Sequence, residues 1–187
     1  MLDAAKNVLA RREALRAIRR RKPEPWEENP AKRRVLVVLP TAQDDAKAAW
    51  RFVQSLGVSH KLVTPVVPDT AVTYVPVEYI GRVHRLEGKH IGLLGVPRQE
   101  FVKKVWESGP DVAFCLHPEP DIASLYLVGA SPAGLRVGLH SARDETFFDL
   151  MVEGKQDLAD SLAMMYEALG RLKPSVFPFE GRGDALS

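Results

Sequence analysis

At 187 residues, with 45% hydrophobic and 27% charged side chains, the chain has the size and balance of one ordinary globular domain plus extensions, too short for two full-sized domains. Its 26 Lys and Arg against 24 Asp and Glu leave a net charge of only +2, so total charge points to no polyanionic or polycationic partner. One cysteine excludes an internal disulfide and cannot begin a cysteine-based zinc site without several histidines nearby, and no stretch approaches the roughly 18 to 20 consecutive apolar residues of a membrane span.

Residues 2–21, LDAAKNVLARREALRAIRRR, contain no Gly or Pro and are rich in Ala, Leu, Arg and Glu, which predicts a helix. Residues 1–22 carry eight Lys and Arg against Asp3 and Glu13, so this end is +6 and the remainder −4. The stripe of Met1, Ala4, Val8, Leu15 and Ile18 is thin and broken by Arg11, so residues 1–22 are expected to form a basic helical arm outside the core. These charges stand where a secretory signal has its apolar segment, and the serines of an organelle transit peptide are missing, so a soluble cytoplasmic protein is expected. Residues 23–33, with three prolines, read as a linker, followed by one α/β domain over 34–174 and a tail over 175–187 that Phe177 and Phe179 could pin down.

The domain starts with RRVLVVLP, whose continuous Val/Leu run is that of a parallel strand covered on both faces. TAQDDAKAAWRFVQSLG then reads as a helix, with Thr41 as candidate N-cap, Asp44 and Asp45 in the first turn, Trp50, Val53 and Leu56 inward, and Gly57 as the stop. HKLVTPVVP is a second strand; in residues 69–97 AVTYVPVEY favours an extended segment while prolines 65, 68 and 76 argue for an edge or loop, so this region is expected to be irregular with one short strand. RQEFVKKVWESG is a helix with Phe101, Val105 and Trp106 inward, PDVAFCL the third clear strand, DIASLYLVGA a short helix capped by Asp121, and LRVGL the fourth strand. DLADSLAMMYEALGRL is a final helix closed by Pro174. Alternating strands and helices imply right-handed crossovers, hence a three-layer Rossmann-like α/β sandwich with a mostly parallel sheet and the basic arm.

In such sheets ligands bind beyond the carboxyl ends of the strands. The first of these exits, LPTAQDDAK, has no glycine to bring backbone N–H groups near a phosphate, and Asp44 and Asp45 would repel one, so no nucleotide or other cofactor is expected. His117 and His140 end successive strands, and with Glu119 and Asp144 as orienting carboxylates they could do acid–base work. The plain alternative makes them turn and loop residues. No His spacing supports a metal site, and Cys115, inside a strand, reads as a small buried hydrophobe. The arm's arginines, Arg11, Arg12, Arg16, Arg19, Arg20 and Arg21, could neutralise RNA or DNA phosphates, contact a protein or an acidic membrane, or only keep the helix soluble.

Residues 111–153 carry two resemblances. Asp111-Val112, Leu125, Leu135-Arg136-Val137-Gly138 and Phe148-Asp149-Leu150-Met151-Val152 resemble a block in an uncharacterised family of small bacterial proteins with a basic N-terminal helix and a Rossmann-like body. Arg136 and Gly138 also resemble the R-x-G strand of the N-terminal half of heptosyltransferase-like glycosyltransferases, although the Gly-Asp those enzymes carry after the first strand is missing. The expectation is therefore an intracellular binding or interaction module contacting RNA or a ribonucleoprotein through its basic helix. The alternative is an enzyme, or a glycosyltransferase-like half-domain, working at the strand ends around His117, Glu119 and His140.

Overall fold

The computed structural model describes residues 2–23 and 27–171. Six strands form one all-parallel sheet: β1 (Val35–Val38), β2 (Val63–Pro68), β3 (His84–Leu86), β4 (Val112–Cys115), β5 (Leu135–Leu139) and β6 (Leu150–Val152). Their spatial order is β3-β2-β1-β4-β5-β6, so the direction of winding reverses between β1 and β4.

The alternation of side chains along each strand feeds two apolar layers. On one face Val35, Val37, Val112 and Phe114 pack against α2 (Gln43–Ser55) and α5 (Leu158–Arg171). On the other Leu36, Val38, Ala113 and Cys115 meet α3 (Gln99–Trp106), α4 (Ile122–Gly129) and α1 (Leu2–Arg20). Every residue of β1 and β4 is buried, which is why these strands read as unbroken apolar runs. Each fully buried Val or Leu contributes about 1.5–3 kcal/mol of transfer free energy.

Trp50 and Val53 of α2 and Leu56 at its C-cap are buried as the spacing requires, and Gly57 follows with φ +67°, the left-handed region that glycine enters freely. Asp121 caps α4 by accepting from the Ser124 N–H at 2.7 Å. Thr41 does not cap α2: Ala42 occupies that position and offers no side-chain acceptor. Pro65 lies inside β2, an interior strand, at no cost in hydrogen bonds. The Val66 carbonyl accepts from Leu39, so residue 66 faces β1; by alternation residue 65 faces the other side, one position before the β3 ladder begins.

Residues 69–97 are irregular with one short strand, β3, as expected; within them Asp69–Tyr74 and Val77–Arg82 form two 3₁₀ helices, each starting just after a proline, Pro68 and Pro76. β6 was not foreseen, because three residues between loops give too short a pattern.

The largest correction concerns α1. It packs along α4 with Ala10 and Ala14 at 1% and 0% exposure, and with Leu15, Ala17 and Ile18 against the same apolar layer. The helix is docked where an arm outside the core was expected. Val8, assigned to the buried stripe, is 67% exposed. Arg11, read as the break in that stripe, turns inward: Nη1 donates to Asp144 at 2.8 Å, Nη2 to the Arg143 carbonyl, and the guanidinium lies 5.1 Å from the Phe147 ring centre. At the other end Arg21 donates to the Ala133 carbonyl at 2.8 Å. Small side chains make the contact possible, for a Cβ on Gly129 would come within 3.2 Å of Ile18 and 2.7 Å of Phe147. Pro174, Phe177, Phe179 and the tail lie outside the described residues.

Candidate functional site

The reversal of strand order puts the exits of β1 and β4 side by side, with those of β5 and β6 next along the sheet. A cleft of about 570 Å³ opens beyond the strands, lined among others by Asp45, Glu119, His140, Glu153 and Lys155. Glu119 and His140 thus share one cleft. His117 is not among its lining residues. Its ring is half-buried, and its Nδ1 accepts from the Glu119 N–H at 3.2 Å, which leaves the proton of the neutral ring on Nε2.

Burial lowers the pKa of His117, and the pull of Asp121, Asp45 and Glu119 in the opposite direction does not cancel it. A histidine held below its ordinary value in the folded chain binds its proton more readily once unfolded. Its contribution to stability is present above the unfolded value and is lost as pH falls through the folded one. In a histidine NMR titration His117 is therefore expected to titrate below the ordinary imidazole value, and urea unfolding should become easier below about pH 6.5. A His117 midpoint at or above that value would contradict the burial argument.

Asp144, the candidate carboxylate behind His140, is 7% exposed and committed to Arg11. Cys115 is fully buried, and burial pushes its thiol up to about 12, so it packs as a small hydrophobe. Among the described residues no group of three or more His, Cys, Asp or Glu is placed to hold a metal ion. The cleft itself sets Asp45, Glu119 and Glu153 against Lys155. Glu153 and Lys155 escaped notice in the sequence because they follow β6, the unrecognised strand.

The six arginines divide. Arg11 and Arg21 are used inside the molecule, whereas Arg12, Arg16, Arg19 and Arg20 are exposed on α1, and only Arg16 is within reach of a carboxylate among the described residues, Glu13 at 3.5 Å. Arg136 and Gly138, which carry the glycosyltransferase resemblance, are also used internally. Arg136 donates to the Asp149 carboxylate from Nε at 2.8 Å and Nη2 at 2.5 Å, and to the Gly129 carbonyl at 2.9 Å. A Cβ on Gly138 would meet three atoms of the Phe148 ring at 2.6–2.8 Å.

An all-parallel six-stranded sheet in this order, with helices on both faces, defines a Rossmann-like α/β domain. Residues 6–164 match the model of a family described as "Family of unknown function (DUF6913)", and the chain belongs to that family. The matched span runs from within α1 through all six strands into α5. No curated protein and no solved structure matches the chain. No helix among the described residues is long and apolar enough to cross a membrane.

Proposed function

We propose that this chain is a binding module that holds single-stranded RNA, free or within a ribonucleoprotein, along the outward face of α1. The observation that carries the reading is the placement of Arg12, Arg16, Arg19 and Arg20. Spacings of four, three and one residues put them on one side of the helix, all exposed, over about 12 Å of axis at 1.5 Å per residue. Arg11 and Arg21 hold the opposite side to the body, so the four guanidinium groups stand on a fixed support. Four cations over that length can contact successive phosphates without reading sequence. One buried thiol accords with a reducing cytoplasmic setting.

Fluorescence anisotropy with a labelled single-stranded RNA tests this. Affinity should fall with salt at a log–log slope of about −3, from roughly 0.7 per neutralised phosphate. The R12Q/R16Q/R19Q/R20Q variant should lose binding while its thermal unfolding stays within a few degrees of the parent. Absence of RNA binding, or binding indifferent to the four substitutions, overturns the reading. The enzymatic alternative is supported only by Glu119 and His140 lining one cleft. The glycosyltransferase-like reading draws no support from Arg136 and Gly138, since both have structural work.

A further inference from the structure

A second cleft, of about 530 Å³, lies at the opposite edge of the sheet between β3 and α3. Arg85, Lys89, Arg98 and Lys104 line it, against the carboxylates of Glu87 and Glu100. Lys89 is matched by Glu87 at 2.8 Å. Arg85 and Lys104 make no hydrogen bond or ion pair among the described residues, so the cleft keeps a positive excess. Its wall is rigid: Phe101 is buried, with the His90 ring stacked on it at 4.5 Å and the His84 ring edge-on at 6.4 Å.

The chain between two of these residues, His90 and Arg98, forms a pinned turn. The Arg98 N–H donates to the His90 carbonyl at 2.7 Å, Ile91 bridges Pro97, the Gly92 N–H donates to Val96 at 2.8 Å, and the Gly95 N–H to Gly92 at 2.9 Å. Gly95 adopts φ +81°, which glycine enters freely, and Val96 packs into the apolar layer. This ordered scaffold presents Leu93 at 96% exposure with Leu94, at 38%, beside it. Leu93 therefore contributes almost nothing to the core of its own chain.

We propose that this edge docks on an anionic membrane surface, Leu93 and Leu94 entering the acyl boundary while Arg85, Lys89, Arg98 and Lys104 hold the phosphoryl headgroups. Each signal alone gives marginal attachment, and an apolar tip with a basic base is the pairing that makes it stable. Charge complementarity selects the occupant, since a second copy seated symmetrically on the same edge would bring like charges together. The proposal is independent of the α1 reading, which concerns a different helix.

Vesicle co-sedimentation of the full chain tests it, with phosphatidylcholine alone and with added phosphatidylserine. Binding is expected only to the serine-containing vesicles and should decline with salt. L93S/L94S, exposed positions that leave the core intact, should weaken it at least about tenfold, and R85Q/K104Q should weaken it while circular dichroism stays native. Absence of vesicle binding overturns the proposal, as does binding indifferent to L93S/L94S. Inorganic phosphate shifting the His84 and His90 NMR signals without vesicle binding also overturns it, in favour of a free anion, and self-association abolished by L93S/L94S does so in favour of a second copy. Vesicle binding lost in R12Q/R16Q/R19Q/R20Q but kept in L93S/L94S assigns the surface to α1 and overturns it too.

Discussion

Asp111→Ala is expected to lower the free energy of unfolding by about 3 kcal/mol, the cost of leaving two half-buried amides and the buried Arg33 without their carboxylate. The Asp111 side chain is 0% exposed. Its Oδ2 accepts from the Arg34 N–H at 2.8 Å and from Arg34 Nε at 3.4 Å, and its Oδ1 accepts from the Glu27 N–H at 3.1 Å. Arg33, 1% exposed, lies within its field. One carboxylate thus fastens the approach to β1 onto the first residue before β4, at the centre of the sheet. Asn, which keeps one acceptor oxygen, should cost less than Ala. Urea unfolding of the two variants checks both the size and the order; a loss under about 0.5 kcal/mol for Ala, the scale of a neutral surface change, would contradict the argument.

Asp149→Ala should cost about 2–4 kcal/mol, toward the lower side of a broken buried pair because the Asp149 side chain is 33% exposed. The Arg136 side chain is only 8% exposed, so without Asp149 its guanidinium keeps a single neutral partner, the Gly129 carbonyl. Replacing both residues, D149A/R136M, should recover part of the loss, since the stranded charge goes as well. Burial pushes the Asp149 carboxyl up, but the hydrogen bonds and charge of Arg136 outweigh it and hold the pKa below the ordinary carboxylate range. A depressed carboxyl stabilises the fold above its unfolded value and stops doing so as pH falls through the folded one. The difference between parent and D149A in urea should therefore shrink below about pH 4. A difference that stays constant to lower pH would sink this account.

These two carboxylates belong to the same sequence block, residues 111–153, that first suggested a family. Its Arg, Gly, Phe and Asp form one internal assembly: Arg136 grips Asp149 and Gly138 makes room for Phe148. Such pairings are not visible in the sequence because they join β5 to the residues just before β6, a strand too short to announce itself. The buried strands and the α2, α4 and α5 patterns were legible, since apolar runs and three-four spacing depend on local order alone. Capping was legible at Asp121 and misleading at Thr41, one residue before the position that could have accepted a bond.

α1 shows why the arginines were harder to place. A search for bulky apolar residues at helical spacing passes over Ala10 and Ala14, whose small size lets two helices approach closely. It also counts an inward arginine as an interruption, although Arg11 finds a carboxylate, a carbonyl and an aromatic ring on its buried side. At the strand ends the residues of the cleft could be named, but the engagement of Asp144 by a helix more than a hundred residues away could not.

The clamps at Arg11 and Arg21 have a thermodynamic consequence for anything that α1 touches. A tethered basic segment must be ordered when it binds, at the expense of affinity. Here the backbone that carries Arg12, Arg16, Arg19 and Arg20 is already immobilised by folding. For any partner that α1 engaged, only side-chain freedom would remain to be lost on contact, and the four charges would act as a ruler of set spacing.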